Sequence, residues 1–171
     1  MATRPKFNDA WAKFLEVHQH PDGRRRTAKE IGDYLGGKVK VNFDAEYFTN
    51  ACAIRLSYVL NYTGNPIKSG NDRSSGSPMF GIKKPWYFFR VKPMRRHLVE
   101  IFGNAEVDAR DDFAMKLADR KGIICFEGTG FNDATGHLTL WNGATCCDKC
   151  YFGPLDHPSF VPTRIRLWSL K

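Results

Sequence analysis

The stretch Asn50-Ala51-Cys52-Ala53-Ile54-Arg55-Leu56-Ser57 decides how this chain is read. It predicts the first turns of a helix, capped by Thr49 or Asn50, with a cysteine at the N-terminal end. A thiol there faces the positive end of the helix dipole and backbone N–H groups that lack helical partners. Both favour thiolate over thiol. Cys52, Leu56, Val59 and Leu60 follow at i, i+4, i+7 and i+8, one face of a helix. Cys52 thus lies at the buried edge of its helix, near the mouth. By itself the window also fits an ordinary core cysteine. A segment far downstream, Gly136-His137-Leu138-Thr139-Leu140-Trp141, tips the reading. Its pattern predicts a strand with Leu138 and Leu140 on one side and His137, Thr139 and Trp141 on the other. Cysteine at a helix start and histidine on a later strand make the layout of a thiol hydrolase.

Around these two segments the chain is mostly regular. Trp11, Phe14, Leu15 and His18 are spaced i, i+3, i+4, i+7 and predict a helix over 8–19, with Asn8 or Asp9 as its cap. His18 and His20 read as surface or helix-end residues. Thr27-Ala28-Lys29-Glu30 is a capping-box pattern ahead of Ile31, Tyr34 and Leu35, and Gly36-Gly37 stops that helix. Residues 62–85 are rich in glycine and proline and predict a long loop of the kind that forms lids or binding loops. A short strand at 86–89 follows, then a helix from Pro93 to Phe102 ended by Gly103, then a helix over 108–120 closed by Gly122. The last third reads as strands at 122–127, 135–142 and 163–169. The first of these is apolar on both faces and is expected at the centre. Helices first and strands last predict an α+β fold, helices packed on an antiparallel sheet, in one domain over residues 1–171.

With 171 residues, 42% of them hydrophobic, the chain can bury a real core. No apolar run approaches the roughly 20 residues of a membrane span, so membrane insertion is not expected. The first residues, Met1 to Phe7, hold no apolar run of a cleavable signal peptide. A net charge of +8 suits a polyanionic partner: nucleic acid, an acidic envelope polymer or an acidic protein. The basic residues are scattered, with Arg24-Arg25-Arg26 and Arg95-Arg96 the only dense clusters and no nucleic-acid-binding signature beside them, so nucleic acid is not the expected partner. Of five cysteines, Cys125 sits in the apolar run Ile123-Ile124-Cys125-Phe126 and reads as an inert core thiol. Cys146, Cys147 and Cys150 crowd together; one disulfide among them, pairing open, fits the count and implies an oxidising compartment despite the missing signal peptide.

Nucleophilic catalysis by cysteine needs a base within reach and a third group to orient the base. Among five histidines, His137 is the candidate base, because Gly136 before it lets backbone and substrate approach closely. His97 reads as solvated on a basic helix face, and His157 as a loop residue. Asn142 and Asp148 are both candidate orienters, since thiol hydrolases use amide or carboxylate. A reversal at Asn142-Gly143 can bring Asp148 back beside His137.

The segments Asn50–Ser57 and Gly136-His137-Leu138-Thr139-Leu140-Trp141-Asn142-Gly143 together resemble the type VI secretion amidase effectors, family 4. Phe89-Arg90-Val91-Lys92 ahead of a helix ending in Phe102-Gly103, and Lys121-Gly122-Ile123-Ile124 leading to the histidine strand, resemble the family in the same order. The likeness runs from about residue 45 to residue 150. It implies a papain-like fold of the NlpC type and a Cys-His-Asp triad, matching Cys52, His137 and Asp148. It implies a peptidoglycan endopeptidase that cuts between γ-D-glutamate and meso-diaminopimelate and needs no cofactor. It also implies delivery by the secretion machinery into a rival's periplasm and a cognate immunity protein, which reconciles an oxidising workplace with the missing signal peptide. On this reading the Cys52 N–H is half of an oxyanion hole. Thr135, Gly136 and Trp141, with loops 62–85 and 127–136, line the substrate cleft.

Two other readings compete. An acyltransferase or transglutaminase-like enzyme would use the same triad with a different acceptor. A small zinc module would draw on Cys147-x-x-Cys150 with Cys146 and His157.

Overall fold

The computed structural model describes residues 1–131 and 135–171. Its middle is α4, Cys52–Tyr62, in which every residue from Cys52 to Asn61 is buried. The expected single buried face understates this helix, because it lies between two apolar clusters. Leu56, Val59 and Leu60 pack with Leu138, Leu140 and Trp168, while Ile54 and Tyr58 pack with Ile31, Leu35 and Val39. Two of its buried polar side chains, Ser57 and Asn61, are spent on neighbouring backbone, as burial demands. Ser57 Oγ donates to the Ala53 carbonyl and accepts from the Phe88 N–H, at 2.8 and 2.9 Å. Asn61 donates to the Trp86 carbonyl at 2.9 Å and accepts from the Ile67 N–H at 2.7 Å.

Three helices precede α4. Helix α1, Phe7–His18, buries Phe7, Ala10, Phe14, Val17 and His18; its cap position is Lys6, not Asn8 or Asp9. His18 is therefore a buried helix-end residue and not a surface one. Helix α2, Ala28–Leu35, starts on the capping box of Thr27 and Glu30. Gly36 ends it at φ 63°, and Gly37 at once begins α3, Gly37–Asp44, which buries Val39 and Phe43. The glycine pair acts as a hinge between helices as well as a stop.

The region read as a loop over 62–85 contains a strand, β1, Arg73–Ser75, which pairs antiparallel with β2, Trp86–Phe88. Helix α5, Val91–Phe102, ends at Gly103 with φ 80°. The helix expected over 108–120 is instead a strand, β3, Val107–Ala109, and a short helix, α6, Phe113–Leu117. Positive φ at Asp112 and Asp119, 47° and 55°, interrupts any longer helix.

The remaining strands are β4, Gly122–Thr129, β5, Gly136–Trp141, and β6, Val161–Ser169. They form an antiparallel sheet in the order β3-β6-β4-β5. β4 is internal, as its two apolar faces require. Ile123 and Cys125 face the helices; Ile124 and Phe126 face a second layer of Cys146, Phe160 and the partly buried Tyr151 and Phe152. The fold is α+β. No helix is long and apolar enough to cross a membrane.

Candidate active site

Ala51 holds the cap position of α4, and Asn50 one residue earlier reaches over it: Asn50 Oδ1 accepts the Cys52 N–H at 2.9 Å. The side chain of Cys52 lies 2% exposed at the helix mouth. Helix α4 packs against β5, whose His137 is buried beside the cysteine; hydrogen bonding and charge at Cys52 both favour a protonated imidazole.

After β5 the chain turns back. Asn142 Oδ1 accepts the N–H groups of Ala144 and Thr145, both at 2.8 Å, and the Cys147 N–H donates to the Leu140 carbonyl at 2.9 Å. A disulfide joins Cys146 to Cys150 and closes a tight loop with Asp148 at its centre. Asp148 Oδ1 lies 3.1 Å from His137 Nε2 and accepts the Lys149 N–H at 2.6 Å, while Arg55 Nη1 donates to Oδ2 at 3.4 Å. Of the two orienters left open by the sequence, Asp148 is the one at the imidazole. Asn142 is exposed and its oxygen is consumed by the turn.

The electrostatics follow from burial and pairing. Burial disfavours a charged His137, but the charge and hydrogen bond of Asp148, then those of Cys52, push its pKa up to about 9. Burial likewise opposes an ionised Asp148, and the His137 charge and hydrogen bond with the Arg55 charge hold its carboxyl well below the usual range. The Thr139 hydroxyl adds to that lowering, although among the described residues no partner meets hydrogen-bond geometry at its oxygen. Burial lowers the pKa of Arg55, against the charges of Asp148 and Cys52. At the end of α1, burial and then the Arg55 charge push His18 down to about 4. Burial pushes Cys125 up to about 12, in keeping with an inert core thiol, and raises Cys147 as well.

Two clefts meet at Asn50. One, of about 630 Å³, is lined by Cys52, Asp72, Phe89, Arg90, Lys92, Arg96, Phe131 and Thr135. The other, of about 390 Å³, is lined by Arg25, Arg26, Thr27, Arg55, His137 and Tyr151. Thr135 is at the cleft as expected, but Gly136 and Trp141 line neither. A side chain at Gly136 would strike the Phe126 carbonyl oxygen, so the β4–β5 contact requires glycine there. Trp141 is 8% exposed and packs in the second core layer with Phe152. Loop 62–85 contributes Asp72; of loop 127–136, Asn132, Asp133 and Ala134 lie outside the described residues. Sequence reading missed the start of α5 and the arginines at 25, 26 and 55; the run Arg24-Arg25-Arg26 was the visible signal. His97, expected in solvent, is largely buried against the Phe88 ring with centroids 5.1 Å apart. Of the four side chains a zinc module would draw on, Cys146 and Cys150 are bonded to each other.

Residues 48–168 match the family described as type VI secretion system amidase effector protein 4, Tae4. Among solved structures, the Tae4–Tai4 effector–immunity complex from Enterobacter cloacae aligns with 43% identity and a TM-score of 0.85, over 99% of this chain and 100% of that one. The effector Tae4 from Salmonella typhimurium, solved with the immunity protein Tai4 from Enterobacter cloacae, aligns with 37% identity and a TM-score of 0.86, over 98% and 100%. Tae4 from Enterobacter cloacae alone aligns with 43% identity and a TM-score of 0.83, over the whole of both chains. No curated protein matches. A cysteine, a histidine and a carboxylate gathered at a cleft, on a fold shared end to end with these effectors, place this chain in the Tae4 family of type VI secretion amidase effectors.

Proposed function

We propose that this amidase cuts peptidoglycan stem peptides between γ-D-glutamate and meso-diaminopimelate, in the periplasm of a rival cell. The observation that carries the reading is the line Cys52–His137–Asp148 at the mouth of α4. The Cys52 sulfur, as thiolate paired with imidazolium, attacks the γ-carbonyl carbon and makes a C–S bond. Negative charge moves to the carbonyl oxygen. The Cys52 N–H is one donor for that oxyanion; it becomes available when it leaves Asn50 Oδ1. His137 gives its proton to the amine of diaminopimelate, and the C–N bond breaks to leave a thioester. The now neutral His137 takes a proton from water, whose oxygen displaces the sulfur and restores the thiolate. Asp148 keeps the imidazole in orientation and stabilises its charged form.

Delivery by the type VI machinery, and capture by an immunity protein of the kind bound to the relatives from Enterobacter and Salmonella, follow from family membership. The net charge of +8 suits an anionic wall polymer or an acidic inhibitor. Mass spectrometry of purified muropeptides, digested by wild type beside Cys52→Ala, tests the reading. The expected result is a new free amine on diaminopimelate, absent with Cys52→Ala. Undiminished cleavage by the variant, or cleavage at another bond, sinks it.

A further inference from the structure

The cleft on the His137 side holds more positive charge than its own residues use. Arg26 is satisfied: its guanidinium donates to the carbonyls of Glu16, at 2.6 Å, and Gln19, and lies over the Tyr34 ring. Arg55 is not. It is 6% exposed, it shares Asp148 with His137 across a long 3.4 Å contact, and its Nε has no hydrogen-bond partner among the described residues. Arg25 is exposed, and among the described residues its side chain makes no hydrogen bond or ion pair. It lines the same cleft, near enough for its charge to be felt at Arg55 and Tyr151. Beside the His137 imidazole, Arg25, Arg26 and Arg55 bring three guanidinium groups to this cleft, and the carboxylate that meets any of them among the described residues is Asp148, which Arg55 shares with His137. Holding a buried guanidinium short of partners is costly unless something brings the missing acceptor.

We propose that Arg55 and Arg25 form the subsite for the free α-carboxylate of the D-glutamyl residue. The assignment rests on the scissile bond proposed above. In a γ-linked glutamate the α-carboxyl carbon lies four bonds from the carbonyl carbon that Cys52 attacks. Arg55 stands three residues after Cys52 on α4, and residues so spaced on a helix have Cβ atoms about 5–6 Å apart. The cleft of Arg55 and Arg25 meets the cleft of Cys52 at Asn50, and the four-bond tether from a carbonyl at the sulfur spans about the one helical turn that separates Cys52 from Arg55. Guanidinium groups suit the task, because their planar donors match both oxygens of a carboxylate. An α-amide in that place would return no negative charge to the cluster and would aim its own donors at two cations.

The test uses the wild-type protein and three synthetic stem peptides: one with both carboxylates free, one amidated at the α-carboxylate of D-glutamate, one amidated at the side-chain carboxylate of diaminopimelate. Wild type is expected to cut the first with kcat/KM about 10- to 100-fold above the second, a span set by loss of charge-assisted hydrogen bonds, and to cut the third like the first. Arg25→Gln, a change at the exposed rim, should lower the rate on the free peptide several-fold and narrow the preference for it over the glutamate-amidated peptide. Equal rates on the first two peptides, discrimination at diaminopimelate instead, or an equal loss on both with Arg25→Gln overturns the subsite while the bond assignment stands. Cleavage at another bond, or of none of the three, overturns both.

Discussion

The end of α1 and the start of β5 each bury a histidine, His18 at 4% exposure and His137 at 5%. The two rings end in opposite states: His18 is pushed down to about 4 and His137 up to about 9. Burial lowers both, so burial does not separate them. What separates them is the Asp148 carboxylate, 3.1 Å from His137 Nε2. His18 Nδ1 has no hydrogen-bond partner among the described residues, and the charges of Arg55, Arg25 and His137 further oppose its protonation. One histidine is thereby a neutral packing group. The other is held as a cation able to give up its proton and take it back.

The largest expected effect comes from Asp148→Asn, which removes that difference. It should lower kcat/KM by about 10⁴-fold, the scale seen when a triad carboxylate becomes an amide. In a histidine NMR titration the His137 pKa should drop from about 9 toward the range of His18. An unmoved His137 titration breaks the comparison. Arg55→Leu comes next. It leaves Asp148 with a single cationic partner and should cost about 2 kcal/mol in urea unfolding, below the full cost of breaking a buried pair because His137 remains. No loss would mean that Arg55 is not part of the balance.

The two histidines also bracket stability from opposite sides. The folded pKa of His137 lies above the unfolded value of about 6.5, so its contribution is complete below that pH and fades as pH rises through about 9. The folded pKa of His18 lies below it, so stability falls as pH drops from about 6.5 toward about 4, where the unfolded chain takes up a proton the fold resists. Urea midpoints measured across pH should decline on both flanks. His18→Gln should flatten the decline between about pH 6.5 and about 4; Asp148→Asn should flatten the alkaline flank and also remove the loss at lower pH that comes from protonating a carboxyl held low in the fold. Catalysis should fade near pH 9 as well, because neutral His137 has no proton for the leaving amine. The smallest effect belongs to Thr27→Ala, which breaks the capping box of α2. It should cost about 1 kcal/mol and leave both histidine titrations in place; a shift in either would show that the cap and the site are coupled.

Some of this was legible in the sequence and some was not. The cysteine helix, the capping box, the histidine strand and the internal position of β4 follow from patterns spanning a few residues. The errors fell where a pattern had two physical causes. Gly136 looked like an opening for substrate and is an accommodation to the Phe126 carbonyl. Trp141 shared its alternation with His137 and went into the core. The acidic, alanine-bearing run at 108–120 looked helical, but pairing of Val107–Ala109 with β6 and two left-handed aspartates outweighed weak helix propensity.

The sequence by itself determined what short-range physics controls: periodicity, caps, turn residues and charge, and the order of motifs that carries the family resemblance. Only the tertiary structure decided whether the Asn142 amide or the Asp148 carboxylate meets the imidazole, because that depends on a turn held by Asn142 and on the pairing of Cys146 with Cys150. It alone brought Arg25 from the loop before α2 to the same cleft as Arg55 and His137. Local pattern cannot specify such meetings, since they arise when separate elements bury their apolar faces against one another, and the polar groups left between them must then find partners or remain unpaired.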